Sequence, residues 1–367
     1  MKKFLALFLV IALCLGAVSA LADGYSDIED TVASADGTYV VAFVTDVGQL
    51  KDKSFNEGTW NGVKSYAAEN GLTYKYYQPA NGDQATDDDR YDAMKAAAQA
   101  GAQVIVCAGF MQGTALAKAA ADFPDVKFVF IDGWSLGLDN VVGVAYKEEQ
   151  CGYFAGYAAV MDDFEKLGFA GGGGGTNPAC MRYGYGFIQG ANDAAAKLGK
   201  NVEVKFTWAY GASFSPSAEL QAMISGWYEN GTEVVFSCGG SIFQSITAAA
   251  AANDAYVIGV DVDQSYESKT VVTSALKGLV EGTRWAVAKA FDGTWGEIGG
   301  SAVSLGVNDD AVGLPVDTWS LEQFSVEDYE ALKAAVAAGE IAIDDQAAEG
   351  DPNAKGPWSN ATVLYVE

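Results

Sequence analysis

The chain repeats itself, and this limits its possible folds more than any other feature. Residues 104–110 (VIVCAGF) form an apolar run that ends in a glycine turn, and residues 234–240 (VVFSCGG) do the same 130 positions later. Each run precedes an alanine-rich segment of helical character, 114–122 and 246–253. Each segment then leads to a second apolar run closed by aspartate, 128–132 and 256–261, at an offset of 129. Upstream, Gly62, Ala67, Ala68 and Gly71 lie 128 positions before Gly190, Ala195, Ala196 and Gly199. Chance likeness between alanine-rich helices does not hold so constant an offset, so the period marks two copies of one unit.

Each copy reads β-α-β-α-β-α-β. The first has strands at 39–45, 72–77, 104–110 and 128–132, with helices at 55–70, 91–100 and 114–122. The second has strands at 167–170, 202–206, 234–240 and 256–261, with helices at 183–198, 216–229 and 246–253. Near-continuous apolar strands that alternate with helices make parallel sheets covered on both faces. The fold class is therefore α/β, with two Rossmann-like lobes. The 367 residues give each lobe enough chain for a core of its own. Lobe one takes 39–145 with part of 264–320, and lobe two takes 146–263 with part of 275–340. In the tail, the pattern predicts a strand at 271–274, a helix at 275–291 and a strand at 303–306. It also predicts a helix at 326–338 capped by Ser325, and an acidic loop at 344–357. In open α/β sheets ligands bind beyond the carboxyl ends of the strands, so two facing lobes place one cleft between them.

Charge and composition narrow the function. Lys and Arg number 22 against 48 Asp and Glu, a formal net charge of −26. That excludes a basic footprint for nucleic acid. No histidine occurs, which removes Ser-His-Asp triads, Cys-His pairs and HExxH zinc sites. No enzyme activity, metal or cofactor is expected. Lys2 and Lys3, the apolar run 4–15 and the Ala20-Leu21-Ala22 site form a secretory signal in residues 1–22. Cleavage near Ala22 is preferred over lipid attachment at Cys14, because Leu13 is bulky where a lipobox needs a small residue. The protein is thus expected outside the cytoplasmic membrane, with no later membrane span. Cys107, Cys151, Cys180 and Cys238 show no CxxC spacing and read as small buried hydrophobes; the spacing assigns no disulfide.

The strand ends carry the polar candidates. After the first strand, Asp52, Ser54 and Asn56 crowd a helix start, with Trp60 one turn further on the same face. On spacing alone, plain N-capping by Asp52 or Ser54 with Trp60 in the core is the preferred explanation. The glycine run 171–175 has neither a phosphate-loop lysine nor the GxGxxG spacing, so it reads as a turn rather than as backbone pressed against something. Asp261 and Asp263 close the second copy as hydroxyl acceptors rather than as a catalytic pair.

At these residues the chain resembles the basic membrane protein family. Residues 41–62 (VAFVTDVGQLKDKSFNEGTWNG) are similar to its opening motif, and 102–132, 140–156, 182–190, 259–264 and 273–277 follow in order. The resemblance implies a periplasmic-binding-protein type I fold and a substrate-binding role beside the permease and ATPase subunits of an ABC importer. It also implies a purine nucleoside as ligand. On that footing Asp52 and Asn56 would bind the purine edge, and Trp60 and Phe214 would stack on its faces, with Trp208 a rival to Phe214. Asp132 would face the ligand, Asp261, Asp263 and Lys277 would serve the ribose hydroxyls, and Gly240 would give close backbone approach. Closure would hinge near 133–150 and 264–280, and the working unit would be a monomer. The alternatives are a sugar or other small polar metabolite in the same fold, or a ligand-binding surface sensor.

Overall fold

Two separate sheets carry the two copies. The computed structural model describes residues 24–47 and 49–367; the signal segment and Cys14 lie outside the described residues. The first sheet holds β1 (Val41–Val44), β2 (Tyr74–Tyr77), β3 (Val104–Ala108), β4 (Lys127–Ile131), β5 (Val141–Tyr146) and β11 (Ala302–Leu305). All its strands are parallel, in the order β11-β5-β4-β3-β1-β2. The second sheet holds β6 (Lys166–Gly171), β7 (Val202–Thr207), β8 (Val234–Cys238), β9 (Tyr256–Asp261), β10 (Val271–Lys277), β12 (Val312–Gly313) and β13 (Ala361–Val366). Its order is β12-β10-β9-β8-β6-β7-β13, parallel except where β12 meets β10. Without the late strands both sheets share one doubly wound order. In each, the chain reverses direction between its first and third strands, where ligand crevices form.

Burial explains the apolar runs. Every residue of β3 and of β8 is buried. In lobe one, alternate strand residues meet α1 (Phe55–Glu69) and α8 (Leu279–Phe291) on one face. On the other face they meet α2 (Asp87–Gln99) and α3 (Gly113–Asp122). In lobe two, α4 (Glu148–Met161) and α5 (Pro178–Leu198) cover one face, with α6 (Ala218–Glu229) and α7 (Phe243–Ala252) on the other. The matched glycines Gly62 and Gly190 now have a reason. A Cβ on Gly62 would sit 2.7 Å from the Val280 carbonyl oxygen, and one on Gly190 2.0 Å from that of Tyr153. Each glycine is where the helix that follows a crossing lies against the first helix of its lobe.

Some elements depart from expectation. β10 runs to Lys277 instead of ending at 274, because Ala275 and Leu276 pair with Val260 and Asp261 of β9. The helix expected from 275 therefore starts at Leu279. α5 starts at Pro178 rather than 183: the Asn177 side chain accepts the Cys180 N–H and Pro178 sits at the first helical position. β5, α4, β12 and β13 were not foreseen. α4 is buried at nearly every position, so it shows no amphipathic stripe to read. The chain passes between lobes three times, at Lys147, at Gly278 and at 306–311, not twice. The crossings are tied together: Lys147 N donates to Leu305 O (2.9 Å), Gly278 N to Ala311 O (2.7 Å), and Tyr146 OH to Gly278 O (3.1 Å).

Candidate ligand-binding cleft

The carboxyl ends of β1, β3 and β4 face those of β6, β8 and β9 across a cleft of about 570 Å³, counting its open mouth. On the lobe-one side, the loop after β1 folds back on itself before α1. Asp52 is buried and organises it. Its Oδ1 accepts from Ser54 N (3.0 Å) and Glu57 N (3.1 Å), and its Oδ2 from Asn56 N (3.0 Å) and Asn56 Nδ2 (3.1 Å). Four donors fill the four acceptor sites of a carboxylate. Asp52 therefore caps α1, and burial still pushes its acid up to about 7 against the pull of those donors. Asn56 lines the cleft beside it. Its Nδ2 donates to both Asp46 and Asp52, which can only accept, so the amide orientation is set. Its Oδ1 is left buried without a protein partner in a residue that lines the cleft. Such an orphaned acceptor costs about 1–3 kcal/mol until a donor meets it.

The strand-end aspartates hold the cleft floor. Asp132 and Asp261 both adopt left-handed backbone, φ 56° and 68°. Lys277 contacts both Asp132 oxygens (2.7 and 2.8 Å) and the buried Glu148 (3.0 Å), whose other oxygen meets Arg182 (2.6 Å). Burial alone would lower the Lys277 ammonium, but Asp132, Glu148 and Asp261 outweigh it and hold the group well above its usual range. Burial likewise raises Glu148, yet Lys277 and Arg182 prevail and keep it below the usual carboxylate range. Asp261 accepts from Ser54 Oγ (2.5 Å) across the lobes and from Tyr183 OH (3.2 Å). Gln264 Nε2 reaches the Lys53 carbonyl (2.8 Å), a second bond between lobes. Among the described residues that line the cleft are four aspartates, Asp46, Asp52, Asp132 and Asp261, and one cation, Lys277; burial raises the acids of Asp52, Asp132 and Asp261.

Lobe two offers backbone and an aromatic ring. Phe214, at φ 57°, lines the cleft. A Cβ on Gly172 would fall 2.3 Å from its ring, and one on Gly171 would fall 2.0 Å from the Trp208 ring. The glycine run is thus backbone pressed between two aromatics as well as a turn. Gly240 also lines the cleft, at φ 50°. Trp208 packs on Phe169 and Phe206 and donates to Gly350 O (2.7 Å), away from the cleft lining.

Two expected site residues lie elsewhere. Trp60 is 1% exposed among Phe43, Tyr74 and Tyr76, and its indole donates to Asp30 (3.2 Å). Only the first turn of α1 reaches the cleft, so one turn further lies under the sheet; Phe55, not Trp60, lines the cleft. Asp263 is buried against Thr318 Oγ1 (2.6 Å) and Ser265 N (3.0 Å). β9 ends at Asp261, and the left-handed turn there breaks the shared face of positions i and i+2. Phe55, Tyr183, Asp46 and Glu148 were not singled out. Phe55 stands inside the quoted motif, and Tyr183 occupies its position at the 128-residue offset. Among the described residues no cluster of three or more Cys, Asp or Glu could hold a metal ion.

The sequence profile of one family, described as ABC transporter substrate-binding protein PnrA-like (Bmp), matches residues 39–346. The chain belongs to this family. Among its relatives, the ABC transporter nucleoside-binding protein BmpA of Lactococcus lactis is 28% identical over 85% of this chain and 92% of its own. The CD4+ T-cell-stimulating antigen of Listeria monocytogenes is 26% identical over 93% and 98%. An ABC transporter solute-binding protein from Aeropyrum pernix superposes with a TM-score of 0.70 at 22% identity, over 84% of this chain and 94% of that one, a likeness of fold. Family members bind a small solute outside the cytoplasm, work with permease and ATPase subunits, and catalyse no reaction. No helix among the described residues is long and apolar enough to cross a membrane.

Proposed function

We propose that this solute-binding protein captures a purine nucleoside between its lobes and presents it to a permease as a monomer. The observation that carries the reading is the buried, unpartnered Asn56 Oδ1 in a cleft that also holds Phe55 from one lobe and Phe214 from the other. A flat ring with an N–H on its edge satisfies all three, and each ring contact contributes about 1–3 kcal/mol. Asp261, with Lys277 and Asp132, supplies charge-assisted partners for ribose hydroxyls. The excess of carboxylates favours a nucleoside over a nucleotide. The nucleoside-binding relative from Lactococcus lactis supports the same ligand class. Closure turns on the three crossings, and the ligand favours the closed form because only there does it touch both lobes.

Thermal unfolding against adenosine, guanosine, inosine, cytidine, uridine, ribose, glucose and AMP tests this. A ligand at 100 times its Kd adds about 2.7 kcal/mol of stability. The expected result is a shift with purine nucleosides and none with AMP or ribose. A shift with sugars alone removes the purine assignment of Asn56.

A further inference from the structure

Two cysteines meet in the cleft wall. Cys180 lies in the first turn of α5, where its N–H bonds the Asn177 cap (3.0 Å). Cys238 ends β8. The Cys180 thiol donates to the Cys238 carbonyl oxygen (3.8 Å), and both residues line the cleft. The other two cysteines are placed differently: Cys107 sits in the lobe-one core and Cys151 donates to Leu276 O (3.2 Å), both with no exposure and neither lining the cleft.

We propose that Cys180 and Cys238 form an oxidisable dithiol in the cleft wall, and that thiol modification and ligand occupancy compete for the same space. The dithiol stands on the geometry alone; the competition rests on the function proposed above. The roles of the two sulfurs differ. Cys180 is 7% exposed toward the cleft, so it is the sulfur that a reagent in the cleft reaches first and the attacking group. Cys238 is 1% exposed. Burial, with the Cys180 thiol adding to it, drives the Cys238 thiol well above its usual range, so it resolves rather than attacks. With a small disulfide RSSR as oxidant, the Cys180 thiolate attacks one sulfur. RS⁻ leaves and takes up the proton that Cys180 gave up. Cys238 then loses its proton and attacks the Cys180 sulfur, releasing the second R group as RSH. Two protein thiols are oxidised to one disulfide, and RSSR is reduced to two RSH.

The test treats the purified, folded protein with 2,2′-dithiodipyridine, a neutral disulfide suited to an acidic cleft. Two equivalents of thiopyridone per chain are expected from this pair, with Cys180 and Cys238 peptides linked and two hydrogens lighter by mass spectrometry. Cys238→Ser should stop at one equivalent with a mixed disulfide on Cys180, and Cys180→Ser should leave Cys238 unmodified. Modification that begins only on unfolding, or a link that maps to other cysteines, overturns the dithiol. Inosine at 100 times its Kd should slow the reaction about 100-fold, since about 1% of the cleft then stays empty. Inosine that raises the melting temperature yet leaves the rate unchanged overturns the competition. Inosine that does neither counts against the nucleoside reading and leaves the dithiol standing.

Discussion

The two lobes share a strand order and a repeat offset of 128–130 residues, yet they approach the cleft with opposite means. Lobe one uses side chains: Asp52 spends all four acceptor sites on its own loop so that Asn56 can face outward with one atom free. Lobe two uses bared backbone: glycines let Phe214 and Trp208 press flat against the chain, and α5 begins earlier than its counterpart, bringing Cys180 and Tyr183 to the wall. Phe55 and Tyr183 mark the same position in the two copies, and both line the cleft. The positions are equivalent while the chemistry differs. A repeat therefore predicts where a cleft residue stands, not what it does.

The largest effect should come from the glycine pair. Gly190→Ala forces a methyl to 2.0 Å from backbone, whereas Gly62→Ala forces one to 2.7 Å. Losses of about 3 kcal/mol or more and of about 1–2 kcal/mol are expected, read by urea denaturation. Equal losses would mean the two lobes pack their crossing helices alike. Next, Phe214→Ala and Phe55→Ala should each weaken inosine binding by about 1–3 kcal/mol in calorimetry. Trp60→Phe should lower stability and leave affinity alone, because the indole is a core group. An affinity loss confined to Trp60→Phe would return the stacking role to it.

Asn56→Ala should cost about 1–2 kcal/mol of inosine affinity, since the free acceptor disappears and both neighbouring carboxylates lose a donor. An unchanged Kd would leave lobe one as scaffold only. The smallest effect concerns pH. Asp52 is raised to about 7 in the fold, above its unfolded value, so the native state holds the proton longer. Its contribution to stability is greatest near pH 4 and declines as pH rises toward 7. Relative to Asp52→Asn, the native sequence should therefore lose stability across that window. The opposite slope would show that the four donors outweigh burial.

What the sequence made legible follows from where signals are periodic. Apolar runs ending in aspartate mark Asp132 and Asp261 as strand ends, and both line the cleft. α4 escaped because an element buried at nearly every position has no polar face to set its period. Trp60 and Asp263 show the limit at the site itself. Shared-face arguments hold only while the helix or strand continues toward the ligand, and α1 has turned under the sheet by Trp60 while β9 has ended before Asp263. Phe55 was within the motif, but spacing alone does not tell a cleft ring at the first residue of α1 from the core ring of Trp60 five residues on.

The three tied crossings have a mechanical consequence. One connection would let the lobes swivel freely, and two would still allow shear along their line. Three side by side, stitched at Lys147 to Leu305 and at Gly278 to Ala311, behave as a leaf spring that bends about one axis and resists torsion. On the function proposed above, opening then has a single degree of freedom. The gap at the cleft mouth and the angle between the sheets must vary together, as one coordinate that a permease can sense by shape alone.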